Sequence, residues 1–330
     1  MRCPAFGAAF VTESVRDRIQ PERHMRPFAW SLVIVCGTLA AIRPANGQSA
    51  PANAAPAASN DAATRVIAEA RTAMGGEAKL AAIKTFIVTG RTRQVRGDNL
   101  VPIEFEIQAE LPDKYARRDE FPAQDAGPTV TGFNADRYVQ SPAPQPPPAR
   151  PGGPPPPTPQ QLEAAARAQL ASAKQDFARL TLGLFAASYP SYPLTFAYVG
   201  QAEAPQGRAD VLDVKGPGDF VARLFIDGKT HLPIMLSWQA RQPPPRGRGP
   251  GGQSPGGPPP AGAAPPTGPP PAPPAPVENR LYFAEYRSFD GLQLPTRVRR
   301  AVAGDTTEET TFDRFRINAR VDPRRFEPGS

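Results

Sequence analysis

A strict alternation of apolar and polar residues from Ile103 to Leu111 restricts this part of the chain to one kind of structure. Every odd-numbered position is apolar and every even-numbered position is polar. Successive side chains of a β-strand point to opposite faces of a sheet, so the pattern predicts a strand with one buried and one solvated face. A second strand is predicted over Thr85–Val95, and the turn residues Arg96–Asn99 between the two segments indicate a β-hairpin.

Similar strand patterns recur to the end of the chain, separated by Gly and Pro turn residues. They predict strands at 114–121, 129–140, 194–199, 209–215, 220–227, 232–240, 280–288, 296–302 and 307–317. Two helical segments are predicted as well, one that starts at Asn60 or Asp61 and ends at Gly75-Gly76, and one over Pro159–Ser188. Strands and helices do not alternate as βαβ units, so we expect an α+β protein with an antiparallel sheet.

Two proline-rich segments interrupt the strand pattern. Residues 141–160 contain 11 Pro, and residues 242–276 contain 16 Pro and 8 Gly. Neither segment can bury enough apolar surface to offset its ordering entropy, so both are predicted to be long extended inserts, with a proline-rich recognition site as the alternative. The strand pattern continues on both sides of each insert, which predicts a single domain over residues 60–330. The Ala- and Pro-rich residues 48–59 before it predict a disordered tether.

The N-terminal region has the pattern of a secretory signal. Met25-Arg26-Pro27 precedes an apolar run from Phe28 to Ile42, and the small residues of Ala45-Asn46-Gly47 follow. A positive start, an apolar segment and small residues before a cleavage site are typical of a signal peptide. We therefore interpret residues 1–47 as an N-terminal extension and signal peptide that is cleaved before Gln48, which predicts a periplasmic protein.

Scarce cysteine and histidine argue against most catalytic and metal sites. Cys3 and Cys36 both lie in the predicted leader, and His231 is the one histidine that follows it, in a segment predicted to be a surface turn. Thiolate nucleophiles, serine triads and Cys- or His-based zinc sites therefore lack their residues. The formal charge of +7 is spread thinly, and arginines at alternate strand positions such as Arg91 and Arg93 predict a solvated sheet face, not a nucleic-acid surface. We expect no enzyme activity, no cofactor and no metal.

Two pairs of adjacent acids provide the enzymatic alternative, a hydrolase that uses carboxylate chemistry. The pairs are Asp119-Glu120 and Glu308-Glu309. Neighbouring residues of a strand point to opposite faces of the sheet, so neither pair is expected to converge on one substrate. We interpret them as solvated residues of strands.

Three stretches carry a resemblance to a known family: Leu224–Pro233, Tyr286–Pro295 and Phe315–Phe326. With the helix that ends in Gly75-Gly76, they make residues 60–330, apart from the inserts, similar to the LolA/LolB-like family of periplasmic lipoprotein carriers. The resemblance implies a curved antiparallel sheet of about 10–11 strands that forms an incomplete β-barrel, closed by helices over an apolar cavity. It also implies a hydrophobic ligand, such as a lipid or the acyl chains of a lipoprotein. Leu111 stands where the carriers have an arginine that gates the cavity.

The buried faces of the predicted strands supply the candidate ligand-binding residues. These are Ile103, Phe105, Ile107, Tyr115, Phe133, Phe196, Tyr198, Leu232, Ile234, Leu236, Trp238 and Phe283. The even-numbered positions from Leu232 to Trp238 are predicted to share one face, and the large ring of Trp238, with its polar edge, suits a cavity rim. Ordinary packing between sheet and helix is the alternative for each residue.

The favoured function is an exported, non-catalytic carrier or binding protein for an apolar ligand. The alternative is an envelope interaction or stress-sensing module of the same fold that acts through a protein partner.

Overall fold

The computed structural model describes residues 54–122, 127–143, 156–204, 207–241 and 275–327. The predicted leader, the cleavage site before Gln48 and most of both proline-rich inserts lie outside these residues. No helix in these ranges has the length and apolarity needed to cross a bilayer.

The described helices are few and the strands many. The α-helices are α1 (Ala54–Ala73), α2 (Glu77–Ala81) and α3 (Pro159–Phe185), and a short 3-10 helix covers Pro323–Phe326. The strands are β1 (Thr85–Arg96), β2 (Asn99–Glu110), β3 (Lys114–Glu120), β4 (Thr129–Asn134), β5 (Arg137–Ser141), β6 (Thr195–Ala204), β7 (Gly207–Gly216), β8 (Phe220–Asp227), β9 (Pro233–Arg241), β10 (Pro276–Phe289), β11 (Leu292–Val302) and β12 (Asp305–Ile317).

All twelve strands form one antiparallel sheet in the order β5-β4-β3-β2-β1-β12-β11-β10-β9-β8-β7-β6. The sheet is open and curved and does not close into a barrel, because β5 and β6 remain its two edges. The predicted α+β class with an open curved sheet is thus confirmed. The strand count is higher than expected because the predicted strand at 129–140 turns at Ala135, where φ is +53°, and continues as a second strand.

Helix α1 begins earlier than the sequence analysis predicts. It starts at Ala54, so residues 54–59 belong to a helix and the tether predicted over 48–59 is wrong for this part. Alanine has the highest helix propensity, and Pro56 lies in the first turn, where a missing N–H costs no intrahelical hydrogen bond. The predicted end at Gly75-Gly76 is confirmed: Gly75 has a φ of +129°, and the Gly76 N–H donates to the Arg71 carbonyl at 2.9 Å.

Helix α3 connects the two edges of the sheet and therefore crosses one of its faces, called the inner face below. A capping box begins it: the Gln161 N–H donates to the Thr158 hydroxyl, and the Thr158 N–H donates to the Gln161 side chain. It ends at Phe185, three residues before the predicted end at Ser188, and its C-cap residue Ala186 has a φ of +46°. The N-terminal half of α3 is exposed, and its C-terminal half, from Phe177 onward, packs against the sheet.

The main hydrophobic core lies between the inner face, α1 and the buried half of α3. Phe86 of β1 packs there against Phe185, with ring centres 5.4 Å apart. A second, smaller cluster lies on the opposite, outer face of the sheet, where Ile87 and Phe326 are both buried. The 3-10 helix covers β3 and β4 at this point, which explains why consecutive residues of β1 are buried on both faces.

Candidate ligand cavity

A cavity of about 500 Å³ lies between α3 and the inner face of the sheet. Its floor includes a row of directly opposed residues from five neighbouring strands: Ile103, Thr92, Thr310, Val298 and Phe283. Opposed residues of paired antiparallel strands share a face, so this row projects toward α3. A second row beside it consists of Gln94, Glu308, Arg300 and Leu281. The cavity is therefore apolar in one part and polar in another.

The structure brings five of the twelve candidate residues together around this cavity. They are Ile103, Ile107, Tyr115, Trp238 and Phe283, and each is less than a tenth exposed. Apolar residues that the sequence analysis did not propose complete the lining: Phe121, Leu180, Leu281, Val298 and Phe312.

Two other candidates lie in the walls behind the cavity. Phe105 is buried against Phe312, with ring centres 5.8 Å apart, and its ring lies close to Gly90. Phe133 packs against Tyr115 and Phe177 and borders a separate, smaller cavity of about 170 Å³ near the C-terminal end of α3. Both belong to the core, as the packing alternative expects.

Four candidates do not line the cavity. Phe196, Tyr198 and Leu232 are partly buried against the main core, and the Tyr198 hydroxyl donates to Asp210 at 3.0 Å. Leu236 is fully buried on the inner face, opposite leucines of β8 and β10.

The prediction for Ile234 is wrong. A β-bulge shifts the register of β8 and β9, so that Pro233 pairs with Ile226 and Met235 pairs with Phe225. Ile234 is the extra residue, and it borders a groove on the outer face together with Met235 and Phe225. A simple alternation from Leu232 to Trp238 misses this residue because a bulge reverses the parity of a strand.

Arginine side chains inside the cavity were not predicted. Arg117 of β3 donates from Nε to Asp119 at 2.8 Å, and its side chain is 25% exposed. The signal was present in the sequence, because Tyr115, Arg117 and Asp119 share the parity of one strand face. Arg91, by contrast, is 67% exposed and pairs with Asp313, as expected for a solvated face.

Arg179 of α3 is the most deeply buried of these arginines, with 9% of its surface exposed. It donates to Asp176 at 2.7 Å and to Gln175 at 3.1 Å. The carbon of its guanidinium lies 4.4 Å from the centre of the Trp238 ring and 5.3 Å from that of Phe220. Burial lowers the pKa of Arg179, and the charge of Asp176 opposes this effect.

The two acid pairs are divided between the faces of the sheet, as predicted. Asp119 and Glu308 line the cavity, whereas Glu120 pairs with Arg118 at 2.8 Å and Glu309 pairs with Arg297 at 3.4 Å. Neighbouring carboxylates therefore do not converge. Among the residues with described positions, no group of three or more His, Cys, Asp or Glu side chains could hold a metal ion.

His231 and Leu111 are the remaining positions that the sequence analysis singled out. His231 lies just after a turn, as predicted, with 40% of its side chain exposed and Nδ1 3.5 Å from Glu69 of α1. Leu111 is partly buried and packs against the main core, so an apolar side chain occupies this position.

Comparison with known proteins gives matches only to solved structures. No family model and no curated protein matches the sequence. A LolA superfamily protein from Nitrosomonas europaea aligns with 11% identity and a TM-score of 0.44 over 79% of this chain and 96% of that chain. A domain from Vibrio parahaemolyticus, described as an outer membrane lipoprotein-sorting protein, aligns with 11% identity and a TM-score of 0.43 over 79% of this chain and 94% of that chain. A DUF1329 family protein from Desulfovibrio piger aligns with 8% identity and a TM-score of 0.41 over 83% of this chain and 97% of that chain. The aligned structures thus include a member of the family that the sequence motifs resemble.

Proposed function

We propose that this protein is an exported, non-catalytic carrier or binding protein for a hydrophobic ligand, such as a lipid or the acyl chains of a lipoprotein. The single observation that carries the proposal is the cavity of about 500 Å³ beneath α3. Its volume lies within the range of about 300–1,000 Å³ that is usual for small-molecule sites.

The chemistry of the lining supports a binding function. Aromatic and aliphatic side chains from β2, β3, β9 and β10 border the cavity together with α3. Each methylene of an acyl chain that leaves water there contributes about 0.8 kcal/mol, so a chain of ordinary length needs no covalent bond to be retained. Some charged residues of the lining form ion pairs with one another, as Arg117 does with Asp119. A carboxylate held in an ion pair is less available as a catalytic acid or base, so this lining suits a binding site better than a hydrolytic one.

A substitution that fills the cavity tests the proposal. Ala173 of α3 lines the cavity, whereas Ala165 of the same helix is exposed. We expect Ala173→Phe to abolish binding of the uncharged dye phenylnaphthylamine, and Ala165→Phe to leave it unchanged, when both variants melt like the wild type. Equal dye binding by the wild type and Ala173→Phe would reject the cavity as the binding site.

Native mass spectrometry of the protein purified from its own periplasm identifies the ligand class, because a carrier should retain a lipid or an acylated peptide.

The same measurement on a deletion variant distinguishes the carrier from an envelope interaction module. Deletion of residues 242–274 should leave the co-purified lipid in place if the cavity is the functional site. Loss of a protein partner from this deletion, with no lipid in the intact chain, would favour the interaction module.

A further inference from the structure

Two guanidinium groups lie against the same aromatic ring at the cavity. Arg179 of α3 and Arg300 of β11 have their guanidinium carbons 4.4 Å and 5.7 Å from the centre of the Trp238 ring. Arg179, Arg300 and Trp238 all line the cavity, so a bound molecule can reach this group. We refer to these three residues as the arginine-tryptophan cluster. An aromatic face attracts cations, which helps to hold both side chains in place.

The cluster has positive charge that its neighbours do not fully neutralise. In the described part of the chain, Arg300 forms no ion pair within 4.0 Å, although Glu308 is its partner in the β11–β12 register. Arg179 has one carboxylate partner, Asp176, which is itself 57% exposed, and its buried Nε has no hydrogen-bond partner among the described residues. A buried donor without a partner is costly, and a ligand with acceptor oxygens would relieve that cost.

The electrostatics of the surrounding lining favour an anion. Four guanidinium groups border the cavity, those of Arg96, Arg117, Arg179 and Arg300, against the three carboxylates of Asp119, Asp176 and Glu308. Asp119 is already engaged by Arg117. Arg179 and Arg300 carry like charges beside the same ring, so they repel each other; burial is the main cause that lowers the pKa of Arg179, and the charge of Arg300 lowers it further. A negative group placed beside both would replace this repulsion with attraction.

We propose that the arginine-tryptophan cluster binds the anionic group, a carboxylate or phosphate, of an amphiphile whose apolar part occupies the rest of the cavity. This inference rests on the proposed function and adds a charge requirement to it. The planar guanidinium of Arg300 can donate two parallel hydrogen bonds to such a group. The apolar part then lies along the row that includes Ile103 and Phe283.

Displacement of bound phenylnaphthylamine tests the charge requirement, with dodecanoate and dodecanol as competitors of equal chain length. In the wild type we expect dodecanoate to compete at least about tenfold more strongly than dodecanol, as hydrogen bonds to a charged group imply. In Arg300→Gln and in Arg179→Gln this preference should fall to within about twofold. Arg299→Gln is the matched control. Arg299 is the neighbour of Arg300 in β11, but it borders the outer face of the sheet beside Tyr282. It should retain the wild-type preference.

Each result decides one question. Equal competition by dodecanoate and dodecanol in the wild type, or a preference that survives in both arginine variants, overturns the anionic site but leaves the apolar cavity intact. Failure of both competitors to displace the dye, together with unchanged dye binding in Ala173→Phe, rejects the proposed function itself. Inorganic phosphate alone should not displace the dye, and displacement by it would indicate a site for a free anion instead of an amphiphile. Arg300→Gln keeps the test valid if Arg179→Gln does not fold.

Discussion

Gly183 of α3 lies directly against the ring of Phe283 of β10. A Cβ atom at position 183 would lie 2.1 Å from a ring carbon of Phe283, closer than any real contact of this kind. The absence of a side chain at this point therefore allows α3 to approach the sheet closely. Phe283 also lines the cavity, so α3 makes this close contact with the sheet at the edge of the cavity.

Gly183→Ala should destabilise the protein, although the same change stabilises most helices. Alanine gains about 1 kcal/mol over glycine in a helix interior, whereas overpacking in a core costs about 1–3 kcal/mol. We expect a net loss in the free energy of unfolding, measured by urea denaturation. In Gly183→Ala/Phe283→Leu the loss should be less than the sum of the two single losses, because the residues are in contact. The contact would be contradicted if Gly183→Ala stabilised the protein, or if the loss in the double variant equalled the sum of the two single losses.

A buried hydrogen bond joins β1 and β12, the first and last described strands along the chain, which are neighbours in the sheet. The hydroxyl oxygens of Thr92 in β1 and Thr310 in β12 lie 2.9 Å apart. Thr310→Val leaves the Thr92 hydroxyl without this partner, so we expect a loss of about 1–3 kcal/mol. Thr92→Val/Thr310→Val removes both hydroxyls and should be closer to the wild type than Thr310→Val. Urea denaturation of the single and double variants checks this order, and a double variant that is the least stable would refute it.

The C-terminal 3-10 helix contributes to stability through Phe326. This side chain is 1% exposed and packs in the outer-face cluster with Val130 and Val139. Phe326→Ala should reduce the free energy of unfolding by about 3–5 kcal/mol, because it removes a buried ring and leaves a cavity. Arg324→Ala, at an exposed position of the same short helix, is the control and should have a much smaller effect. Similar losses in the two variants would indicate that the whole segment, and not the ring, is responsible.

Three tyrosines, Tyr115, which is buried, and Tyr189 and Tyr286, which are partly buried, should make the fold sensitive to alkaline pH. Burial raises the pKa values of Tyr115, Tyr189 and Tyr286 well above the ordinary range. A tyrosine in the unfolded chain ionises at about pH 10, so the stability linked to these three groups is complete below that pH and is lost as the pH rises above it. We expect the free energy of unfolding to fall steeply above about pH 10.

Ultraviolet absorbance of tyrosinate, recorded with circular dichroism during an alkaline titration, checks this expectation. The other tyrosines should ionise first, and Tyr115, Tyr189 and Tyr286 should ionise only as the dichroism signal of the sheet disappears. Ionisation of all seven tyrosines near their ordinary pKa in an intact sheet would contradict the assigned burial.

Local patterns were sufficient for much of the fold. The alternation from Ile103 to Leu111 predicted the inner face of β2, and its hairpin with β1 is present with Gly97 in the turn. The ends of α1 at Gly75-Gly76 and of α3 near Ser188 followed from capping and periodicity within a few residues. These features depend on neighbours in the chain, which a sequence displays directly.

The candidate site was predicted only in part, because it depends on contacts between distant segments. Five apolar candidates surround the cavity, but the bulge at Ile234 and the arginines inside the cavity were missed. A bulge is set by the pairing of two strands, and the sequence of β9 alone does not mark it. Arg179 carried one weak signal: Ser172, Asp176 and Arg179 lie at helical spacing and all line the cavity.

The sequence by itself determined which residues can form strands and helices and which side of each strand is apolar. Both depend on the spacing at which apolar residues recur along the chain. Only the tertiary structure decided that α3 crosses from one edge of the sheet to the other and leaves a space beneath it. The same structure placed Arg179 beside Trp238. These outcomes arise from the packing of elements far apart in the chain, where the fit of side chains such as Gly183 and Phe283 sets the distance between helix and sheet.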